Sequence, residues 1–577
     1  MLPARLRAGL VALGLAALLG PSAARANVVE TPVSIAASMP DDEGNPVTLD
    51  GGVDVPDAGC PCPAVIINHG FLGNWTNGGD DARRLAAHGY VVLRYSSRGF
   101  GKTPGEVDLM GPKERQDLLD AVHWLNNPAS PVVGGKVVHN DIGQYGGSYG
   151  GAHAWALAMA NDPAVRTVVP TATWTDIYDA LLPNDVELLA YTNGFYATGL
   201  STGAGLTDSH PYLATTDNYS QEMHRWVAEA NTGVNTKDLE AGAAARSVKD
   251  HYADINIPVF IIQGTNDGLF SQNQALDAYQ ALHRNGTPVR LYVGGIGHPP
   301  SNSDTNSPEA QHLQVELLAW FDHYLKGKDT GIDRMPPIEY SHADYFDNTW
   351  NGKTVSARSY PFGPAQELHL CTSGPAGGTL SAQPCPSAVP APVLDVPSVS
   401  GLDEEPVTAS YAHDFEAQFA AAFGQRLDFA DAPGGLSYDG APLSKPYDMV
   451  GVPSLHLQVA SADQLPAGLK GGAAAFQLDP KFFDVDADGH AKLITRGAFA
   501  EPLDALAAGT TPQHRVDFDA FGSSYTIPAG HHLRITLNSS DAPYLRPTPN
   551  PFAAVLFAGS TVDLPSGADM FPTPPIG

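Results

Sequence analysis

Residues 142–161 read IGQYGGSYGGAHAWALAMAN. An apolar stretch, Ile142–Tyr145, runs into Gly146-Gly147-Ser148-Tyr149-Gly150, and a helix-forming segment follows from Ser148 to Asn161. A strand that turns sharply into a helix at G-x-S-x-G lifts the serine Oγ to the top of a sheet. Small residues two before and two after the serine let the chains pass closely. The helix start directs its dipole and free N–H groups at an anion formed there. In this strand–turn–helix setting Ser148 is predicted to be a nucleophile rather than a serine in a glycine-rich turn.

The same alternation extends outward. Ala64–Asn68 (AVIIN), Tyr90–Arg94 (YVVLR), Val165–Ala172, Pro258–Gln263 (PVFIIQ) and Pro288–Val293 read as strands, with helices at 80–88, 112–126, 271–284 and 308–326. The strands are continuous apolar runs, the pattern of a sheet buried on both faces. The predicted fold class is α/β: a doubly wound, mostly parallel α/β-hydrolase sheet. Its core is assigned to 27–172 and 251–330. Residues 173–250 interrupt the alternation with Trp, Tyr, Asn and Asp and are read as a helical cap inserted over the carboxyl ends of the strands. Past residue 330 Pro, Gly and Ser rise. Alternating segments such as Ser454–Ala460 and His532–Leu537 predict an all-β C-terminal domain, a jelly-roll sandwich over 366–577 after a linker at 331–365.

A serine nucleophile needs a base, and the base an orienting acid. In this fold they follow in the order acid, then histidine. Asp267 lies directly after the PVFIIQ strand and His298 after the next one, so both loops open on the face that carries Ser148. Asp254 precedes its strand, and His312 and His323 fall within a helix. Two backbone N–H groups are needed for an oxyanion. Tyr149 supplies one, and Phe71, in the His69-Gly70-Phe71 loop after AVIIN, the other. Arg98 is read as structural, tying its loop to its neighbours.

Arg5 and Arg7, the apolar run 8–20 and Ala24-Arg25-Ala26 have the form of a cleaved leader over 1–26, which predicts a secreted (periplasmic or extracellular) protein. That run is too short to span a bilayer and no later one is long enough, so no membrane insertion is expected. The formal charge is −30, and −33 without the leader, which holds three arginines and no acids. Such a surface repels nucleic acid. The cysteines are Cys60, Cys62, Cys371 and Cys385. In an exported chain the even number suggests disulfides, and of the three possible pairings Cys371–Cys385, which closes a short Gly/Pro-rich loop, is favoured. Cys60 and Cys62 are left either as a tight ring across Pro61 or as two free thiols. No metal or cofactor motif is present, and neither pair has ligand spacing around it.

Ser148-Tyr149-Gly150-Gly151, Arg98-Gly99-Phe100-Gly101 and Trp174-Thr175-Asp176 resemble the Xaa-Pro dipeptidyl-peptidase and cocaine-esterase-like family of α/β-hydrolases. So do Tyr438–Leu443, Gly451–Leu455 and Ile527–Ile535, which are similar to its C-terminal domain. The resemblance implies a Ser-Asp-His hydrolase that cleaves ester or amide bonds of a small molecule or short peptide through an acyl-enzyme, with a cap that selects the substrate. Two positions depart from the family. The loop in which cocaine-esterase-like members use a tyrosine hydroxyl reads His69-Gly70-Phe71, and Ser96 replaces an aspartate. In the cap, Trp174 and Tyr196 are candidates to wall an apolar pocket. Asp176, with Asp179, Asp185 and Glu187, could meet the ammonium group an exopeptidase requires. One alternative is a carboxylesterase or acylase without peptidase activity. Another is a carbohydrate- or ligand-binding exoprotein on a hydrolase scaffold, which the intact Ser, Asp and His argue against. The C-terminal domain is expected to support the fold without reaching the scissile bond.

Overall fold

A computed structural model describes residues 27–57, 59–196, 219–232, 236–265, 267–298, 307–341, 352–374, 377–386, 393–395, 436–461, 475–502, 514–538, 541, 544–546 and 553–576. The leader expected at 1–26 lies outside them. The chain opens with an antiparallel pair absent from the sequence reading, β1 (Val28–Ala36) and β2 (Thr48–Pro56). Then come β3 (Cys62–Asn68), α1 (Gly79–Ala87), β4 (Val91–Tyr95), α2 (Pro112–Leu125), β5 (Val137–Gly147), α3 (Tyr149–Ala160) and β6 (Val165–Thr171). The cap holds α4 (Ile177–Leu181), α5 (189–196), α6 (Gln221–Thr232) and α7 (Lys237–Ala244). The sheet resumes with β7 (Val259–Gly264), α8 (Gln272–Arg284), β8 (Val289–Gly294), α9 (Pro308–Lys326), β9 (Ile338–Ser341) and β10 (Thr354–Ala357).

The strand order is β1-β2-β4-β3-β5-β6-β7-β8-β9-β10, and Phe571–Pro572 pairs on β10 at the far edge. From β4 to β9 every neighbouring pair is parallel. Both faces are covered. Val65 and Ile67 of β3 pack with Leu85 of α1 and Trp320 and Phe321 of α9, while Ala64 and Ile66 face the core shared with α2, α3 and α8. This two-sided burial is why AVIIN and its fellows do not alternate. Each large side chain so buried contributes about 1.5–3 kcal/mol. Helix α9 begins at Ser307, whose Oγ accepts the Ala310 N–H at 3.1 Å, with Pro308 at the first turn, and closes on Gly327 at φ 61°.

The segment 331–365, read as a linker, holds β9 and β10, which join the hydrolase sheet. The extreme C-terminus returns to the same sheet, with Ser356 Oγ and Thr573 Oγ1 2.8 Å apart. Between these returns lies an all-β domain of largely antiparallel strands. In Ser454–Ser461, Leu455, Leu457 and Val459 point into its core while Ser454, His456 and Gln458 point outward, the period-2 pattern expected. Both disulfides are formed, Cys371–Cys385 and also Cys60–Cys62, which closes the alternative of two free thiols. Among the described residues no helix is long and apolar enough to cross a membrane.

Candidate active site

Ser148 stands between β5 and α3 at φ 56° and ψ −121°, a backbone conformation that costs on the order of 1–3 kcal/mol in a non-glycine residue. Its N–H donates to the Thr171 carbonyl at 2.9 Å, tying the turn to β6. The turn can be this tight because residue 150 is glycine: a Cβ there would sit 2.2 Å from the Asn68 carbonyl oxygen of β3. Asp267 follows β7 and His298 follows β8, and the structure brings all three residues together. Ser148 Oγ lies 2.9 Å from His298 Nε2, and His298 Nδ1 lies 2.9 Å and 3.0 Å from the two Asp267 carboxylate oxygens. A carboxylate facing Nδ1 places the ring proton there, which leaves Nε2 to accept from the serine hydroxyl.

The Asp267 carboxylate is fully enclosed. It accepts the N–H groups of Leu269 and Phe270 at 2.9 Å each and of His298 at 3.1 Å. Gly297, at φ 125°, is what allows the close approach, since a Cβ there would fall 2.6 Å from Asp267 Oδ2. The Phe270 ring stands edge-on to the His298 ring, centroids 5.0 Å apart. From the C-terminal domain, Tyr544 donates its hydroxyl to the Gly268 carbonyl at 2.9 Å. Nothing in the local sequence marks Tyr544, because the contact spans 276 residues.

The loop after β3 borders the serine: a Cβ on Gly70 would lie 3.8 Å from Ser148 Cβ. The Phe71 ring packs against Phe100, Tyr149 and Phe195, with centroids 5.5–5.8 Å apart. The buried Tyr149 donates its hydroxyl to Glu114 at 2.5 Å, and Glu114 also accepts the N–H groups of Asp108 and Met110. Burial pushes the Glu114 acid up to about 7 against those three donors. Arg98, as expected, is structural, holding Asp117 through two 2.7 Å bonds and the carbonyls of Met39 and Pro40.

Ser148 opens on a cavity of about 150 Å³ between the sheet and the cap. Trp174 and Tyr196 line it, together with Phe71, Tyr149, Phe195, Tyr219, Trp226 and Phe270. Asp176 does not line it. Its carboxylate caps α4, accepting the Tyr178 N–H at 3.0 Å, and pairs with Lys249 at 3.2 Å. The other acids are engaged elsewhere: Asp179 with Gln274, Asp185 with the Tyr178 hydroxyl, Glu187 with Thr192 and Arg546. Among the described lining residues there is no carboxylate. The one cation among those described residues, Arg246, pairs with Asp108 and lies over the Trp226 ring at 4.6 Å. No described residue beyond 330 reaches the cavity.

Two family models match the chain. X-Pro dipeptidyl-peptidase (S15 family) covers residues 43–299, and the X-Pro dipeptidyl-peptidase C-terminal non-catalytic domain covers 330–554. A Mycobacterium bovis protein provisionally named a serine esterase is 23% identical over 84% of this chain and 84% of its own. The cocaine esterase of a Rhodococcus species is 22% identical over 85% of this chain and 88% of its own. Among solved structures, an α-amino acid ester hydrolase superposes with a TM-score of 0.66 at 17% identity, covering 94% of this chain and 97% of its own.

Proposed function

Because this chain belongs to the Xaa-Pro dipeptidyl-peptidase and cocaine-esterase-like family of serine hydrolases, we propose that it cleaves esters of compact apolar acids through an acyl-enzyme on Ser148. The observation that carries this reading is the union of the Ser148–His298–Asp267 hydrogen-bond chain with a nearly all-apolar cavity. Ser148 Oγ attacks the acyl carbon while His298 Nε2 takes its proton, and Asp267 stabilises the imidazolium. The N–H groups of Tyr149 and Phe71 hold the oxyanion. His298 returns the proton to the departing oxygen or nitrogen, and a water activated the same way releases the acid.

A cavity of about 150 Å³ suits one phenyl-sized group. A dipeptidyl-peptidase must pair a substrate ammonium, and the described cavity walls offer no carboxylate for it, which favours ester over dipeptide. The substrate is a small molecule that needs no nucleic acid, and the reading invokes no cofactor. We place the enzyme outside the cytoplasm on the strength of the leader pattern at 1–26. The test is a panel of p-nitrophenyl phenylacetate, p-nitrophenyl acetate and Ala-Pro p-nitroanilide. The phenylacetate is expected to have the highest kcat/KM. A preference for the Ala-Pro anilide would overturn the ester reading, and turnover by Ser148→Ala would overturn the nucleophile.

A further inference from the structure

Three polar side chains lie out of water: His69 at 4% exposure, Ser97 at 2% and His153 at 0%, with both imidazole rings packed against Tyr149 of the cavity wall. The mechanism above uses none of them, yet their hydrogen bonds form one chain. The Ser97 N–H donates to His69 Nε2 at 3.0 Å. An N–H can only donate, so Nε2 carries no proton and Nδ1 does. The Nδ1–H then donates to the Gly70 carbonyl at 2.8 Å. His153 has the same tautomer for the same kind of reason. Its Nδ1 faces the Tyr149 carbonyl at 2.8 Å, so Nε2 accepts the Ser97 hydroxyl at 3.0 Å. One serine thus satisfies both rings, one through its backbone and the other through its side chain.

We propose that His69, held by Ser97 and His153, is a positioning residue that aims the Phe71 N–H at the oxyanion; this rests on the reading of Ser148 as the nucleophile. The Gly70–Phe71 peptide is planar, so in the trans form the Phe71 N–H points opposite to the Gly70 carbonyl. That carbonyl is gripped twice, by His69 Nδ1–H at 2.8 Å and by the Gly73 N–H at 2.9 Å. Fixing the direction of the carbonyl fixes the N–H on the opposite side of the peptide. A phenylalanine has no side-chain donor, so at this position the oxyanion can be met only by the backbone, and its direction has to be set by what holds the peptide. At the other end of the chain, His153 ties the first turn of α3 to the same serine, so the two segments that carry Phe71 and Tyr149 share one anchor. Burial pushes the rings down to about 4 for His69 and about 3 for His153, so both are neutral near pH 7, as these bonds require.

The test uses the full chain with p-nitrophenyl phenylacetate and a benzyl trifluoromethyl ketone, which forms a tetrahedral oxyanion adduct with a reactive serine. His69→Ala is expected to lower kcat about 10- to 100-fold, with KM changed by less than about twofold and the ketone Ki raised by the same factor as kcat falls. His69→Asn keeps an N–H donor near the place of Nδ1 and is expected to recover most of the loss. The proposal is overturned if His69→Ala stays within about twofold of the parent, if kcat falls while the ketone Ki does not move, or if His69→Asn is no better than alanine. Should His69→Ala fail to fold, Ser97→Ala decides instead. It cuts the link to His153 and leaves the N–H to His69, so parallel losses of about threefold or more in kcat and ketone affinity support the proposal, and smaller ones overturn it. An inactive Ser148→Ala beside an unimpaired His69→Ala sinks this inference alone, whereas an active Ser148→Ala sinks the nucleophile.

Discussion

The hydroxyl of Tyr544 donates to the carbonyl of Gly268 at 2.9 Å, one residue past Asp267. The Tyr544 ring lies under the Arg496 guanidinium at 4.3 Å, and Arg496 is bound in turn to the buried Asp541 at 2.7 Å. The all-β domain therefore reaches the acid's loop, and none of its described residues lines the cavity. Tyr544→Phe keeps the ring and deletes this bond. It is expected to cost about 1 kcal/mol of stability and to lower kcat a few-fold with KM unchanged. Urea melts and steady-state kinetics check this, and an unchanged kcat would limit the domain to support.

The proposed nucleophile, base and acid carry unequal expectations. Ser148→Ala and His298→Ala are each expected to lose at least about a thousandfold in kcat, and Asp267→Asn somewhat less. A fluorophosphonate probe is expected to label the parent and leave Ser148→Ala unlabelled, read by intact mass.

The cap should decide between acyl groups. Tyr196 lines the cavity and bonds His224 through its hydroxyl at 2.5 Å. Tyr196→Ala is expected to lower kcat/KM for the phenylacetate ester by about 10- to 100-fold and for the acetate ester far less. Equal losses on both esters would mean that the cap acts on the chemistry rather than on selection.

His69 and His153 predict an acid-side loss of stability. Their folded pKa values, about 4 and about 3, lie below the ordinary 6.5. As pH falls through 6.5 the unfolded chain gains protons at these rings that the folded chain does not. Stability therefore falls with pH until the folded values are reached, by up to about 1.4 kcal/mol per pH unit for each ring. Glu114 acts with the opposite sign: its acid, raised to about 7, favours the folded state as pH drops from 7 toward 4.5. A difference measurement isolates the histidine. Between pH 7 and 5, His153→Gln is expected to lose less stability than the parent in urea unfolding, and identical slopes would refute it.

Much of the fold was legible because its signals are local. Strands buried on both faces become uninterrupted apolar runs, as in AVIIN and PVFIIQ, and a nucleophile elbow needs small residues at fixed offsets from Ser148. Asp267 and His298 could be chosen over Asp254, His312 and His323 because this fold places its reacting groups just past the carboxyl ends of strands, and strand ends are visible in sequence. β1 and β2 were missed, since Thr48–Pro56 (TLDGGVDVP) carries two glycines and two aspartates in a strand whose burial comes from its neighbours.

What only the tertiary structure decided is where polar groups spend their hydrogen bonds. Asp176 looked like an ammonium partner, yet it caps a helix and holds Lys249. His69 was placed in the oxyanion loop with no role for its ring, yet that ring holds the carbonyl of the peptide that carries the Phe71 N–H. Tyr544 carried no signal at all. The sequence by itself determined the sheet, the elbow and the identities of the three residues that meet there, because strand burial and a tight turn are imposed on neighbouring residues. A side-chain hydrogen bond depends on which atoms lie within about 3 Å across the fold, and packing sets that proximity for residues as far apart as Gly268 and Tyr544.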